Sequence, residues 1–353
     1  MQQEQRLQEV INSVRPLNRE VMEQVQARLD NLTKPPGSLG KLEDIVKQLG
    51  GITGNPLPLV EQKAVLVMAG DHGVVAEGVS AFPAEVTPQM VYNFLSGGAG
   101  INVLARQAGA KVVCTDVGVA ADLSHPGLIS KKVARGTANM ALGPAMTREQ
   151  AISAILVGVE VAEEQINAGA NLLATGDMGI GNTTPSSAIV AVLTGKPVEE
   201  VVGRGTGIDD RGLGKKTKVI NQALEINRPD PEDALDVLAK VGGLEIAALC
   251  GAVLGAAANG VPIVVDGFIS TAAAAVAAAL QPLAKSYMIP SHSSQEPGHI
   301  HALSYLGLEP MLNLNLRLGE GTGAALAFHL VEAATRILRE MATFAEAGVS
   351  TAN

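Results

Sequence analysis

The feature that most constrains how this chain can fold is a series of short apolar runs, rich in β-branched residues and ending at small or acidic ones. They occupy residues 64–69, 111–116, 171–175, 261–266 and 286–290. Apolar runs without a polar alternation are what strands covered on both faces look like, which is the situation in a parallel sheet. Longer segments with helical patterning separate them, such as 148–168, where Thr147 is placed to cap the first turn. This alternation predicts an α/β, Rossmann-like fold: a mostly parallel sheet with helices on both faces.

Composition agrees with a sheet covered on both sides. Hydrophobic residues make up 47% of the 353 positions and charged residues 17%, too apolar a balance for disorder. Aromatic residues contribute only 2% and tryptophan none, so the core is built from Ala, Val, Leu, Ile and Met. The formal charge of −9 argues against a nucleic-acid partner, which would call for a basic face. Cys114 and Cys250 lie far apart within apolar runs and read as reduced, buried thiols of a cytoplasmic protein.

The opening residues Met1 to Arg6 are polar and lack the apolar stretch of a signal peptide. Residues 244–280 are nearly uncharged, yet Glu245, Asn259, Pro262 and Asp266 interrupt them. They divide into helix, strand and helix rather than a membrane span. The two ends differ from the middle. Residues 3–32 are polar and helix-friendly, with Val10, Val14, Val21, Val25 and Leu29 as an apolar stripe, and 323–347 is a long helix candidate. The expected division is a small helical domain made from 1–32 with 324–353, and a large α/β domain over 33–323.

In doubly wound sheets, ligands bind beyond the carboxyl ends of the strands. The loops that follow the apolar runs here are 70–73, 176–184, 266–267 and 291–299. The second, Gly-Asp-Met-Gly-Ile-Gly-Asn-Thr-Thr, lets backbone N–H groups converge at the start of a helix, an arrangement suited to phosphate. A purely structural strand-to-helix turn explains that loop nearly as well. A second glycine-rich stretch, 203–210, followed by Lys215 and Lys216, tips the balance towards phosphate.

His292, Glu296, His299 and His301 crowd within ten residues, but their spacing matches no zinc motif and Pro297-Gly298 breaks helical register. They are expected to be hydrogen-bonded loop residues, with no metal. Glu320, flanked by glycines just before the last helix candidate, is either a charge at a helix N-terminus or a general base with a raised pKa.

Seven blocks in order then carry a resemblance: Thr33 to Gly40, Ala69 to Val74, Gly179 to Thr184, Gly203 to Gly207, Val265 to Phe268, Ser291-His292 and Leu318 to Gly323. Over nearly its whole length the chain resembles the nicotinate-nucleotide–dimethylbenzimidazole phosphoribosyltransferase family, the CobT type. The resemblance implies transfer of the 5-phosphoribosyl group from nicotinate mononucleotide to 5,6-dimethylbenzimidazole, a step in building the nucleotide loop of cobalamin. It also implies a homodimer and no cofactor. Glu320 matches the family's catalytic glutamate, the base that removes the benzimidazole N–H proton.

The mononucleotide residues implied are Gly179, Gly205, Lys216 and Ser294, supported by Gly181, Asn182 and Thr183. The benzimidazole pocket falls on Phe82, Pro83, Val86, Gln89, Met90 and Leu318; from the residues alone, a helix core stripe explains that segment better. One position departs from the family: Asp177 stands where many relatives carry glutamate. Being one methylene shorter, it is expected to supply a stabilising charge near an oxocarbenium-like state. Another nucleotide-handling transferase or kinase, or a non-catalytic nucleotide sensor, would use the same glycine loops.

Overall fold

The computed structural model describes residues 1–350. Its six strands are β1 (Lys63–Gly70), β2 (Ala110–Gly118), β3 (Leu128–Ser130), β4 (Leu172–Met178), β5 (Ile263–Val265) and β6 (Met288–Pro290). They form one sheet in the order β3-β2-β1-β4-β5-β6 with every pairing parallel. Each of the five apolar runs holds a strand, although 261–266 is strand only over Ile263–Val265 and 286–290 only over Met288–Pro290. The edge strand β3 has no apolar run to announce it: two of its three residues are half-buried and Ser130 is exposed. The chain reverses direction across the sheet between β1 and β4, and that switch point is where doubly wound folds open a crevice for ligands.

The helices, in chain order, begin with α1 (Gln2–Ser13), α2 (Arg19–Asn31), α3 (Lys41–Thr53), α4 (Val86–Leu95) and α5 (Gly100–Gln107). Next come α6 (Arg148–Asn167), α7 (Thr183–Thr194), α8 (Val198–Val201), α9 (Asp210–Asn227) and α10 (Ala234–Val241). The last are α11 (Leu244–Ala258), α12 (Phe268–Leu280), α13 (Gly298–Leu306) and α14 (Thr322–Glu340). Thr147 caps α6 through a reciprocal box with Gln150, as its sequence indicates.

Alternate residues of β1 feed two cores. Leu66 and Met68 join α1, α6, α11 and α12 on one face, while Val65 and Val67 join α2, α3, α5 and α14 on the other. Residues 244–280 resolve into α11, β5 and α12. Among the described residues no helix is long and apolar enough to cross a membrane. Small residues let α11 come very close to α6: a Cβ on Gly158 or on Gly251 would meet backbone of the other helix at 1.8 Å.

The terminal segments are each broken once. Pro16 separates α1 from α2, and α14 stops at Glu340 rather than running on to 347, with a short second helix from Phe344. The chain ends meet where Arg28 Nε donates to the Leu338 carbonyl at 2.7 Å and Leu32 bridges Thr343. By contrast, α1 lies in the core of the opposite face, and Ala324, Ala325 and Phe328 of α14 pack against the sheet.

Candidate active site

The ladder between β1 and β4 runs on through Met68↔Asp177 and Ala69↔Met178. The expected loop 176–184 therefore begins later than its glycines indicate. Gly176, Asp177 and Met178 are strand, the turn is Gly179 to Asn182, and α7 starts at Thr183. Thr87 of α4 accepts the Ile180 N–H at 3.1 Å, which ties α4 to this turn.

A cavity of about 460 Å³ opens at these strand ends. Asp177, Gly181, Asn182, Thr183, Gly205 and Ser294 line it together with Phe82 and Leu318. Lys216 lies beneath that wall, fully buried, its Nζ donating to Thr183 Oγ1 at 2.7 Å and to the Gly203 carbonyl at 3.2 Å. Burial pulls its pKa down to about 8, against the opposing pull of Glu296. Gly205 is left-handed (φ 51°), and a Cβ there would sit 2.6 Å from Thr183 Oγ1. Its N–H donates to Glu296 Oε1 at 2.9 Å. A compact anion at this end would meet the Thr183 hydroxyl and side-chain-free backbone, with the Lys216 cation behind them and the Glu296 carboxylate, which already takes the Gly205 N–H, beside them.

Gly319 lines the cavity and opens a turn with Glu320 and Gly321, all three left-handed, with φ of 84°, 63° and 93°. Left-handed backbone is ordinary for glycine but strained for glutamate. The turn is held in place by Asp266, whose carboxylate accepts the Gly321 N–H at 3.1 Å and the Ala324 N–H at 2.9 Å. The Glu320 side chain is buried rather than a cavity wall. Its Oε2 accepts the Ile101 N–H in the first turn of α5 at 3.1 Å, and a Cβ on Gly100 would touch both this oxygen and Leu318 Cδ2. Glu320 thus sits beside Leu318, which lines the cavity. Burial raises its pKa, the Ile101 N–H opposes, and Asp266 raises it further.

Asp177 is held by Asn182, whose Nδ2 donates to its Oδ2 at 2.9 Å. Burial first, then the neighbouring Asp266, push its carboxyl up to about 8 despite that bond. Burial likewise raises Asp266, offset by His292 and by backbone N–H groups.

The remaining sequence-derived positions lie outside the cavity wall. Gly179 packs its Cα against the Gly70 carbonyl. Pro83 and Gln89 are exposed, and Val86 and Met90 are half-buried against the core of the α4 face. His292 and His299 are hydrogen-bonded, but His299 and His301 stand in α13 rather than in a loop, because the helix begins directly after Pro297. His299 Nδ1 accepts the Ser294 N–H at 2.8 Å and its Nε2 lies 2.9 Å from Thr271 Oγ1; burial takes its pKa down to about 3. His292 Nδ1 lies 2.9 Å from Ser291 Oγ. Among the described residues no three His, Cys, Asp or Glu groups converge as a metal site would require. Sequence reasoning missed Arg317, Asn315 and Thr206 as cavity walls. The left-handed Asn315 (φ 55°) was readable only as one more residue of an Asn-Leu alternation.

A parallel sheet in this order, with a cavity at its switch point lined by glycine turns and acidic side chains, is the build of a doubly wound α/β enzyme. A family model described as "Phosphoribosyltransferase" matches residues 14–349. More particularly, the chain belongs to the nicotinate-nucleotide–dimethylbenzimidazole phosphoribosyltransferase family. Relatives of that name from Desulforamulus reducens and Desulforudis audaxviator are 60% and 58% identical, each aligned over 98% of this chain and over 99% and 98% of their own lengths. The crystal structure of CobT from Thermus thermophilus is 52% identical and superposes with a TM-score of 0.91 over 94% of this chain and all of that one.

Proposed function

We propose that this chain transfers the 5-phosphoribosyl group from nicotinate mononucleotide to 5,6-dimethylbenzimidazole, giving nicotinate and α-ribazole 5′-phosphate, a step in nucleotide loop assembly of cobalamin. The observation that carries the reading is one cavity lined by Gly205, Thr183 and Ser294, with the Lys216 cation buried behind Thr183 and the buried carboxylate of Glu320 behind the lining residues Leu318 and Gly319. The sugar–pyridinium bond breaks with its electrons going to a nitrogen that is already cationic, so nicotinate leaves without an acid. A benzimidazole nitrogen attacks C1′ from the opposite face, inverting it. The N–H proton of the ring then passes to Glu320, whose raised pKa suits it to receive one. No diphosphate departs, so the chemistry calls for no metal to neutralise a leaving group.

A cationic ribosyl beside Asp177 would draw its carboxyl, pushed up to about 8 by burial and Asp266, back towards the ionised form, its proton passing to solvent, and that charge would stabilise the sugar. Phe82 and Leu318, both exposed to the cavity, offer apolar surface for a flat dimethylated ring, with Pro83, Val86, Gln89 and Met90 of the α4 approach behind them.

The division into a helical unit (1–32 with 324–353) and a catalytic unit (33–323) belongs to this reading and draws support from the contact of α2 with the end of α14. So do a homodimer, for which exposed Tyr92 and Val103 on α4 and α5 offer apolar surface, and a cytoplasmic setting, suited to the free thiols Cys114 and Cys250. The test mixes purified protein, nicotinate mononucleotide and dimethylbenzimidazole without added metal and follows nicotinate release by chromatography. Absence of both nicotinate and α-ribazole phosphate overturns the reading.

A further inference from the structure

Against the turn after β4 lies a buried pair that the proposed chemistry does not use. His72 Nε2 donates to Glu245 Oε1 at 2.6 Å, with side chains 1% and 0% exposed. Neither residue lines the cavity. Each keeps one polar atom without a partner, Nδ1 of His72 and Oε2 of Glu245. An incompletely bonded buried ion pair is a poor device for stability, since apolar residues of similar volume usually serve as well. Its presence calls for another role.

What the pair touches indicates that role. A Cβ on Gly179 would sit 3.1 Å from His72 Nε2 and 3.2 Å from Glu245 Oε1. One on Gly70 would lie 3.0 Å from Glu245 Oε2, and one on Gly243 would lie 2.4 Å from His72 Cε1. The end of β1, the turn after β4 and the entry to α11 therefore all close on this pair with bare backbone. Glu245 stands in the first turn of α11, where the helix N-terminus favours its charge. Burial would strip the proton from His72, but Glu245 and then Asp71 outweigh it and its pKa rises. Glu245 also acts on Asp177 of β4, whose carboxyl it helps to raise; a proton held on His72 offsets that negative charge beside the turn.

We propose that His72 and Glu245 form a positioning pair for the mononucleotide, holding the Gly179 to Asn182 turn so that Asn182 grips Asp177 and Gly181 and Thr183 face the phosphate. The inference rests on the substrate reading above. Its test uses His72→Asn, Glu245→Gln and the double variant, with KM and kcat measured for each substrate. Each single change is expected to raise KM for nicotinate mononucleotide roughly 10–100-fold, with KM for dimethylbenzimidazole within about twofold. The double variant is expected to be no worse than the poorer single one, because the two act as a unit.

Unchanged KM beside a lowered Tm, equal rises in both KM values, or losses that multiply in the double variant overturn the proposal. Variants that do not fold also overturn it, since the pair would then be structural. A wild-type enzyme that releases no nicotinate defeats the substrate reading instead. In that case calorimetric titration with nicotinate mononucleotide still decides the pair, which requires weaker binding by Glu245→Gln.

Discussion

Glu320 Oε2 accepts the backbone N–H of Ile101 at 3.1 Å, so the carboxylate proposed as base is aimed by the first turn of a helix. That bond favours the ionised carboxylate and offsets part of the burial that raises its pKa.

Glu320→Gln keeps the shape and removes the base. We expect kcat to fall roughly 10²–10⁴-fold with mononucleotide KM nearly unchanged. Because burial places the Glu320 pKa above that of an ordinary glutamate, wild-type kcat should rise with pH through that raised value, and the variant should lose this acid limb. Steady-state kinetics across pH checks both; full activity in the variant refutes the assignment.

Asp177→Asn should cost less activity than the change at Glu320. It should also alter stability in a definite direction. An aspartate whose folded pKa is raised to about 8 favours the folded state below its unfolded value, ~3.9, and that contribution is lost as pH rises through 8. The wild-type Tm should drop as pH rises from about 5 to about 8 and level off above, and the Asn variant should drop less. Parallel melting curves refute this.

Lys216, with its pKa lowered to about 8, is cationic at neutral pH and loses its charge above it. KM for nicotinate mononucleotide should therefore climb above pH 8. Lys216→Met should raise KM at pH 7 by roughly 10–100-fold, in keeping with loss of a charge-assisted phosphate contact. A flat KM from pH 7 to 9 in the wild type counts against the role.

Gly321→Ala places a Cβ 2.6 Å from Val65 Cγ1 at φ 93°. The backbone alone costs ~1–2 kcal/mol, and the overlap with β1 adds about as much. Thermal melting should show a loss of several degrees with kcat reduced; wild-type Tm and rate would mean the turn gives way easily.

The strands and their loops were legible because parallel strands, covered on both faces, spell themselves out as apolar runs, and ligand loops follow them. Residues 64–69 became β1 for this reason, while β3, lying at the sheet edge with three residues, had no such signature. Glu320 and Lys216 came from local motifs and family resemblance. His72 with Glu245, and Asp266 beneath the Glu320 turn, were invisible as partners. The first pair is separated by 173 positions, and the second link joins a side chain to backbone N–H groups, a contact that leaves no residue pattern. The boundary at Met178 was missed because glycines read as loop, whereas here Gly176 is bare so that the Glu320 carbonyl can approach β4.

Three successive left-handed residues leave the Gly319 to Gly321 turn with almost no neighbouring conformations to drift into. For anyone seeking to retune the acceptor, this separates the molecule into a part that can be rewritten and a part that cannot. Phe82 and Leu318 present side chains to open space and can be exchanged to admit a purine or a phenol in place of the benzimidazole. The turn that carries the base should tolerate almost nothing, so a saturation library read for folding would show a flat profile at those two positions and a sharp trough at the three that follow Leu318.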